Sequence, residues 1–354
     1  MEPLAFLESA IRTPSPSGFE EPIVKLIRDY LQDSVGDDTS VDVHGNLIAR
    51  TGAHGGPRLM LAGHCDQIGM LVSHIDDKGF LHAQTIGGWD PQQLIGQAMT
   101  VWTADGPVPA VISRKPIHLL SPSERKEVVQ LEQMWLDIGA EDGDDARSRV
   151  RVGDPITLDL EYRPLVGDRV SGPGMDNKTG MWTVVEALRR AATEGPQLKC
   201  ELHSVATVQE EIGLRGAKTA AAGIQPHVGI AVDVTHASDC PTIDKNQQGD
   251  IRLGGGPVIF RGPNINPKVA QRLIDLAEKE GIAYQLAALG RAAPNDSNAL
   301  QISGAGVATG LVGVPNRYMH SAVETVSTGD LEAIATLLTR FAQSLTPECN
   351  FIPG

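Results

Sequence analysis

Short, unbroken apolar runs that end in acidic or imidazole side chains constrain this chain more than any other feature. Leu59-Met60-Leu61-Ala62-Gly63 leads into His64-Cys65-Asp66. Val205-Ala206-Thr207-Val208 leads into Gln209-Glu210-Glu211, and Val228-Gly229-Ile230-Ala231-Val232 into Asp233. A strand without polar alternation is buried on both faces, the mark of a largely parallel sheet covered by helices. Helical stripes stand where that cover is needed. One joins Leu4, Leu7 and Ile11, and another Ile23, Leu26, Ile27 and Leu31. A third, in a helix starting near Asn177, joins Met181, Trp182, Val184, Val185 and Leu188. The last joins Leu331, Ile334, Leu338, Phe341 and Leu345, within Asp330 to Leu345. Asn266 and Pro267 open a further helix as N-cap and first residue, and Gly281 closes it. Val41-Asp42-Val43 and Leu47-Ile48-Ala49 read as a hairpin around His44-Gly45-Asn46. The pattern predicts an α/β fold.

The alternation is interrupted between residues 67 and 164. Short β-like runs recur there (Met70-Leu71-Val72, Met99 to Trp102, Ala110-Val111-Ile112, Ile156-Thr157-Leu158), punctuated by Gly and Pro. One candidate helix covers Glu124 to Val129. The acidic stretch Glu141 to Asp145 lacks the spacing of a calcium loop and reads as a solvated loop. Residues 1–66 and 165–354 therefore read as one discontinuous α/β domain, and 67–164 as an inserted, mostly β domain. A chain of 354 residues suits that division at about 150 residues per domain.

Several functions are disfavoured at once. The formal net charge of −14 and the 4% aromatic content argue against nucleic-acid binding, which needs a basic face and stacking platforms. No apolar run approaches the ~20 residues of a membrane span. Met1-Glu2-Pro3-Leu4 shows no secretory pattern. Cys65, Cys200, Cys240 and Cys349 are too far apart for a C-x-x-C pair. A cytoplasmic setting is expected. There is no G-x-S-x-G, H-E-x-x-H or Walker sequence, and Gly254-Gly255-Gly256 runs into Pro257 rather than into a helix.

In open α/β sheets, ligands bind beyond the carboxyl ends of the strands. His64, Asp66, Glu210, Glu211 and Asp233 all stand at such ends. Asp176, after Gly172 and Gly174, can enter the same crevice from a helix start, and His320 from a loop after Leu311 to Val314. Each alone has an ordinary structural explanation, as Glu20-Glu21 at a helix start illustrates. Together they do not, because adjacent carboxylates repel unless a cation lies beside them. Two histidines and three or four carboxylates without Cys suit Zn²⁺, Co²⁺ or Mn²⁺. The donor count suits two ions with one carboxylate bridging them.

His64-Cys65-Asp66-Gln67-Ile68-Gly69, Met175-Asp176-Asn177-Lys178, Val208 to Gly213, Ala231 to His236 and Tyr318-Met319-His320-Ser321 resemble the ordered motifs of the M42 metallo-aminopeptidases. The resemblance runs from Ser17-Gly18-Phe19-Glu20 to the final helix. It implies a di-zinc peptidase α/β/α sandwich with an inserted dimerisation domain. It also implies an aminopeptidase that removes the N-terminal residue of short peptides with a bridging hydroxide between two metals. Asp176 would bridge the ions, with His64 and Asp233 at one and Glu211 and His320 at the other. Glu210 would be the general base, and Asp66 would orient His64. Dimers would assemble into a tetrahedral dodecamer. Gln67 stands where the family often has Glu, and Gly174 lies in the approach to Asp176. A related deacylase or carboxypeptidase, or a silent metal-binding assembly protein, are the alternatives. First-residue specificity stays open, with Lys245, Arg252, Arg261 and Arg291 as candidates for an acidic side chain.

Overall fold

The computed structural model describes residues 1–353. Its centre is an eight-stranded sheet, running from the hairpin Thr39–Val41 and Leu47–Gly52 through Glu201–Thr207, Arg58–His64, Val228–His236 and Ala308–Asn316 to Val258–Arg261 and Gln285–Ala288. The four middle strands are mutually parallel. Alternation along Arg58–His64 divides its side chains between two cores. Leu59 and Leu61 join the core beneath helices Pro3–Arg12, Glu21–Val35, Met175–Thr193 and Thr328–Ser344. Met60 and Ala62 join the opposite core, with Ala220 and Ala221 of helix Arg215–Ile224 and with Leu300. That two-sided cover is why the run carries no polar residue.

The predicted helices form with small shifts. Asn266 accepts hydrogen bonds from the N–H groups of Lys268 and Val269 to cap Pro267–Glu280, and Gly281 closes it in the left-handed region at φ 68°. The last helix begins at Thr328, capped by Ser327. On the first helix the buried stripe is Phe6, Leu7, Ala10 and Ile11, while Leu4 is exposed.

Between Gly69 and Leu158 six strands close into a barrel with its own core, including Met70, Val72, Val101, Ile112, Leu136 and Ile156. Two local expectations change here. The candidate helix at Glu124 is a single 3₁₀ turn, Glu124–Lys126. Its Glu124 carboxylate is taken up by the Ser121 N–H and by Lys115. The acidic stretch is not all loop: Asp142 accepts from the Asp144 and Asp145 N–H groups and caps the helix Gly143–Arg149. Asp144 and Asp145 in its first turn suit the positive end of the helix dipole.

Candidate metal centre

The site lies at the carboxyl ends of the central strands, where the sheet's connections diverge. Arg58–His64 has Glu201–Thr207 on one side and Val228–His236 on the other, and all three strands point the same way. His64 is therefore delivered beside Glu210 and Glu211 from one neighbour and Asp233 from the other. The fourth group arrives on helix Met175–Thr193, which crosses the strand at closest range. A Cβ on Gly63 would lie 2.7 Å from the backbone of Gly180 and Met181. The first turn of this helix is irregular: Asp176 and Asn177 have non-helical backbone angles. The Asn177 amide anchors the turn by donating to the Val232 carbonyl at 2.8 Å.

All seven residues anticipated from the sequence converge. His64 Nε2 lies 3.3 Å from Asp176 Oδ1 and 3.7 Å from Asp233 Oδ1, with Glu210 Oε2 at 3.8 Å. His320 Nε2 lies 3.2 Å from the other oxygen of Asp176 and 3.6 Å from Glu211 Oε2. Each imidazole thus faces its own oxygen of Asp176 and its own further carboxylate. Two sets of three donors within 4.8 Å of one another occur here, His64 with Glu210 and Asp233, and His64 with Asp176 and Glu211.

Asp66 does more than the sequence suggested. It flanks His64 Nδ1 at 3.4 Å, and its carboxylate also accepts from the N–H groups of Glu210 and Glu211 and from the Ser17 hydroxyl. Cys65 points into the helix-side core. His236 is exposed at the end of its strand.

Three contributors were not read from the sequence. Glu324, 2% exposed, accepts from the N–H of Asp176 at 3.1 Å and from that of His320 at 2.7 Å. The Gly88 carbonyl, from the barrel, lies 2.8 Å from His320 Nδ1. Asp296 is buried near His64, with one oxygen bonded to the Thr207 hydroxyl and the other without a partner. Only Glu324 left a trace in the sequence, as an acidic residue four positions after His320 and directly before the β-branched pair Thr325-Val326.

The protein alone leaves this cluster short of positive charge. Burial, reinforced by neighbouring carboxylates, pushes Glu210 up to about 10. Burial and Asp176 push Glu211 up to about 7. Burial lowers His320, but Asp176 and Glu211 outweigh it and raise it to about 11. Burial would raise Asp176, yet the two imidazoles hold it below the usual carboxylate range. Glu211 Oε1 is buried without a hydrogen-bond partner. Protons thus gather where the carboxylates crowd, and an unpaired buried oxygen stands among nitrogen and oxygen donors. The residues present fit divalent cations.

A doubly covered α/β sheet whose strand ends gather histidines and carboxylates is the architecture of a metal-dependent hydrolase. The comparisons make that class specific. The family model described as M42 glutamyl aminopeptidase matches residues 45–337. The lysyl aminopeptidase of Pyrococcus furiosus is 34% identical over 352 residues, covering 98% of both chains. The TET aminopeptidase of a marine sediment archaeon, Thaumarchaeota archaeon SCGC AB-539-E09, superposes with a TM-score of 0.93 at 31% identity, covering 98% of this chain and 97% of its own. The TET1 peptidase of Pyrococcus horikoshii, described as assembling into a tetrahedron or a large octahedral shell, superposes at 0.84 with 31% identity, covering 97% and 100%. This chain belongs to the M42 aminopeptidase family and is a hydrolase. No helix among the described residues is long and apolar enough to cross a membrane.

Proposed function

We propose that this protein is a metal-dependent aminopeptidase that removes the first residue of short peptides at a two-cation site. The observation that carries the reading is Asp176, which presents one oxygen to His64 and the other to His320. His64 and Asp233 would hold one ion, His320 and Glu211 the other, with Asp176 shared. The donor chemistry suits Zn²⁺, with Co²⁺ or Mn²⁺ as alternatives. Bound there, such ions supply Lewis acidity toward the scissile carbonyl and acidify a water at neutral pH.

The chain's own residues do the remaining work. Glu210 stands at the edge of the cluster, 9% exposed, and takes a proton from the attacking water. It then returns that proton to the departing amine. Asp66 fixes the backbone of Glu210 and Glu211 and the imidazole of His64, so the base and two ligands share one anchor.

Residues 1–66 and 165–354 form the catalytic unit in this reading, and residues 67–164 the inserted unit through which two copies pair. Such dimers then assemble into a tetrahedral dodecamer, a reading supported by the tetrahedron described for the Pyrococcus horikoshii TET1 peptidase. Four cysteines without a disulfide accord with a cytoplasmic enzyme. Lys245, Arg252, Arg261 and Arg291 are all exposed, and Lys245 is already paired with Asp250, so none is assigned to a specificity pocket.

The test is hydrolysis of aminoacyl-p-nitroanilides, free and N-acetylated, by chelated enzyme before and after Zn²⁺, Co²⁺ or Mn²⁺ is restored. Metal-dependent release from free-amine substrates alone is expected. Release from the acetylated series alone would replace this reading with a deacylase.

A further inference from the structure

We propose that Glu324 is a positioning residue for the metal centre, acting through the backbone of two ligands; this rests on the two-cation reading. Its carboxylate touches both loops, those carrying Asp176 and His320, by hydrogen bonds from their N–H groups, and is the only group among the described residues to do so: Oε2 accepts from Asp176 at 3.1 Å, and Oε1 from His320 at 2.7 Å. Both ligands need such support. Asp176 sits in the irregular first turn of its helix, with ψ near 104°. His320 sits at φ 60°, a region L-residues occupy only when their surroundings hold them there.

Glu324 is itself anchored. The Gly172 N–H donates to its carbonyl at 3.0 Å, and the adjoining segments pair as antiparallel strands, with Ser171 opposite Thr325. The carboxylate therefore reaches out from the seam between the two segments that lead to the ligands. Its chemistry is matched to the task, because both partners are donors and a carboxyl group presents an oxygen to each of them. A glutamine would turn an NH₂ group against one of the N–H groups. An apolar residue would leave both unpaired and buried.

A carboxylate kept only for packing would be a poor choice, since it lies among other acidic groups at 2% exposure. Its position has a functional consequence. Asp176 is shared, but His320 serves one end only, so disturbance at Glu324 falls harder on the His320–Glu211 end than on the His64–Asp233 end.

The experiment is Co²⁺ titration of the chelated full-length protein, read by visible d–d absorption and by competition with a chromogenic chelator. His320→Ala marks which binding step belongs to the His320 end. The unmodified protein is expected to take up two ions. In Glu324→Gln the His320-end step should weaken about 10–100-fold with an altered spectrum, the range seen for residues that orient ligands. The other step should change little, and peptidase activity should return at high Co²⁺.

Equal binding of both ions by Glu324→Gln would overturn the proposal. So would equal weakening of both together with a lower melting temperature of the chelated protein, which marks a merely structural role. If Glu324→Gln fails to fold, Glu324→Asp, which keeps two acceptors on a shorter arm, should show a smaller loss at the same step; unchanged binding there would also overturn it. Failure of the unmodified protein to bind two ions would remove the two-cation reading and this inference with it.

Discussion

Asp176 carries two imidazoles on one carboxylate, and the groups around it divide between holding and reacting. Among the described residues no hydrogen bond is donated to the Glu210 carboxylate, whose neighbouring His64 Nε2 lies 3.8 Å away; Asp66 secures only its N–H. That freedom suits a group that must take up and release a proton. If Glu210 is the base proposed above, Glu210→Gln keeps the shape and removes that base, so kcat should fall by about 10²–10⁴. Calorimetric Co²⁺ binding should stay close to that of the unmodified protein. Loss of both together would assign Glu210 to ligation instead.

The same residues set a pH dependence in the chelated protein. Glu211 and Asp296 are pushed up to about 7 and Glu210 to about 10, chiefly by burial, while His320 is raised to about 11 by its carboxylate partners. Every one of these groups holds its proton more tightly folded than unfolded. The stability they confer is complete below their unfolded values and is lost as pH rises through the folded ones. Between pH 5 and 9, roughly, the chelated protein should therefore melt at progressively lower temperature. Cation binding replaces those protons, so the fall in melting temperature on adding EDTA should be larger near pH 8.5 than near pH 6. A pH-independent EDTA effect in scanning calorimetry would contradict this account.

At the scale of elements, the site depends on how closely strand Arg58–His64 meets helix Met175–Thr193. Gly63 permits that approach. Gly63→Ala should force the two apart, costing about 1–3 kcal/mol in urea unfolding of the chelated protein. It should also weaken cation binding, because Asp176 withdraws from His64. What was legible in the sequence follows from the same geometry. Runs such as Leu59 to Gly63 could be read because a strand covered on both faces leaves no polar alternation, and their ends carry the residues proposed as ligands. Glu324 could not be read so directly. Its partners are backbone N–H groups, one of them 148 residues away, and a backbone donor leaves no residue type to recognise. The Glu124 segment misled for a local reason: its carboxylate closes a tight turn on Ser121 rather than extending a helix.

At the scale of the whole molecule, the barrel and the sandwich are not independent. The Gly88 carbonyl reaches His320 from the barrel, and a Cβ on the adjacent Gly87 would lie 3.4 Å from that of Glu211. The sequence showed short strands here but not their closure, because pairing between strands far apart in sequence has no local period. The barrel strand Gly106–Arg114 and the segment that joins it to the next strand, Met134–Asp137, expose Val111, Ile117, Leu119 and Val128 at 52%, 57%, 67% and 58%. Such residues suit contact with further copies, and twelve subunits of 37.7 kDa would form a closed shell of roughly 450 kDa. The double substitution Leu119→Glu and Val128→Glu should lower the mass seen by light scattering while leaving Co²⁺ uptake per chain unchanged, since every proposed ligand lies on one chain. An unchanged mass would place the assembly contacts elsewhere. Loss of Co²⁺ uptake together with assembly would mean that neighbouring copies hold the barrel, and with it Gly88, in place against His320.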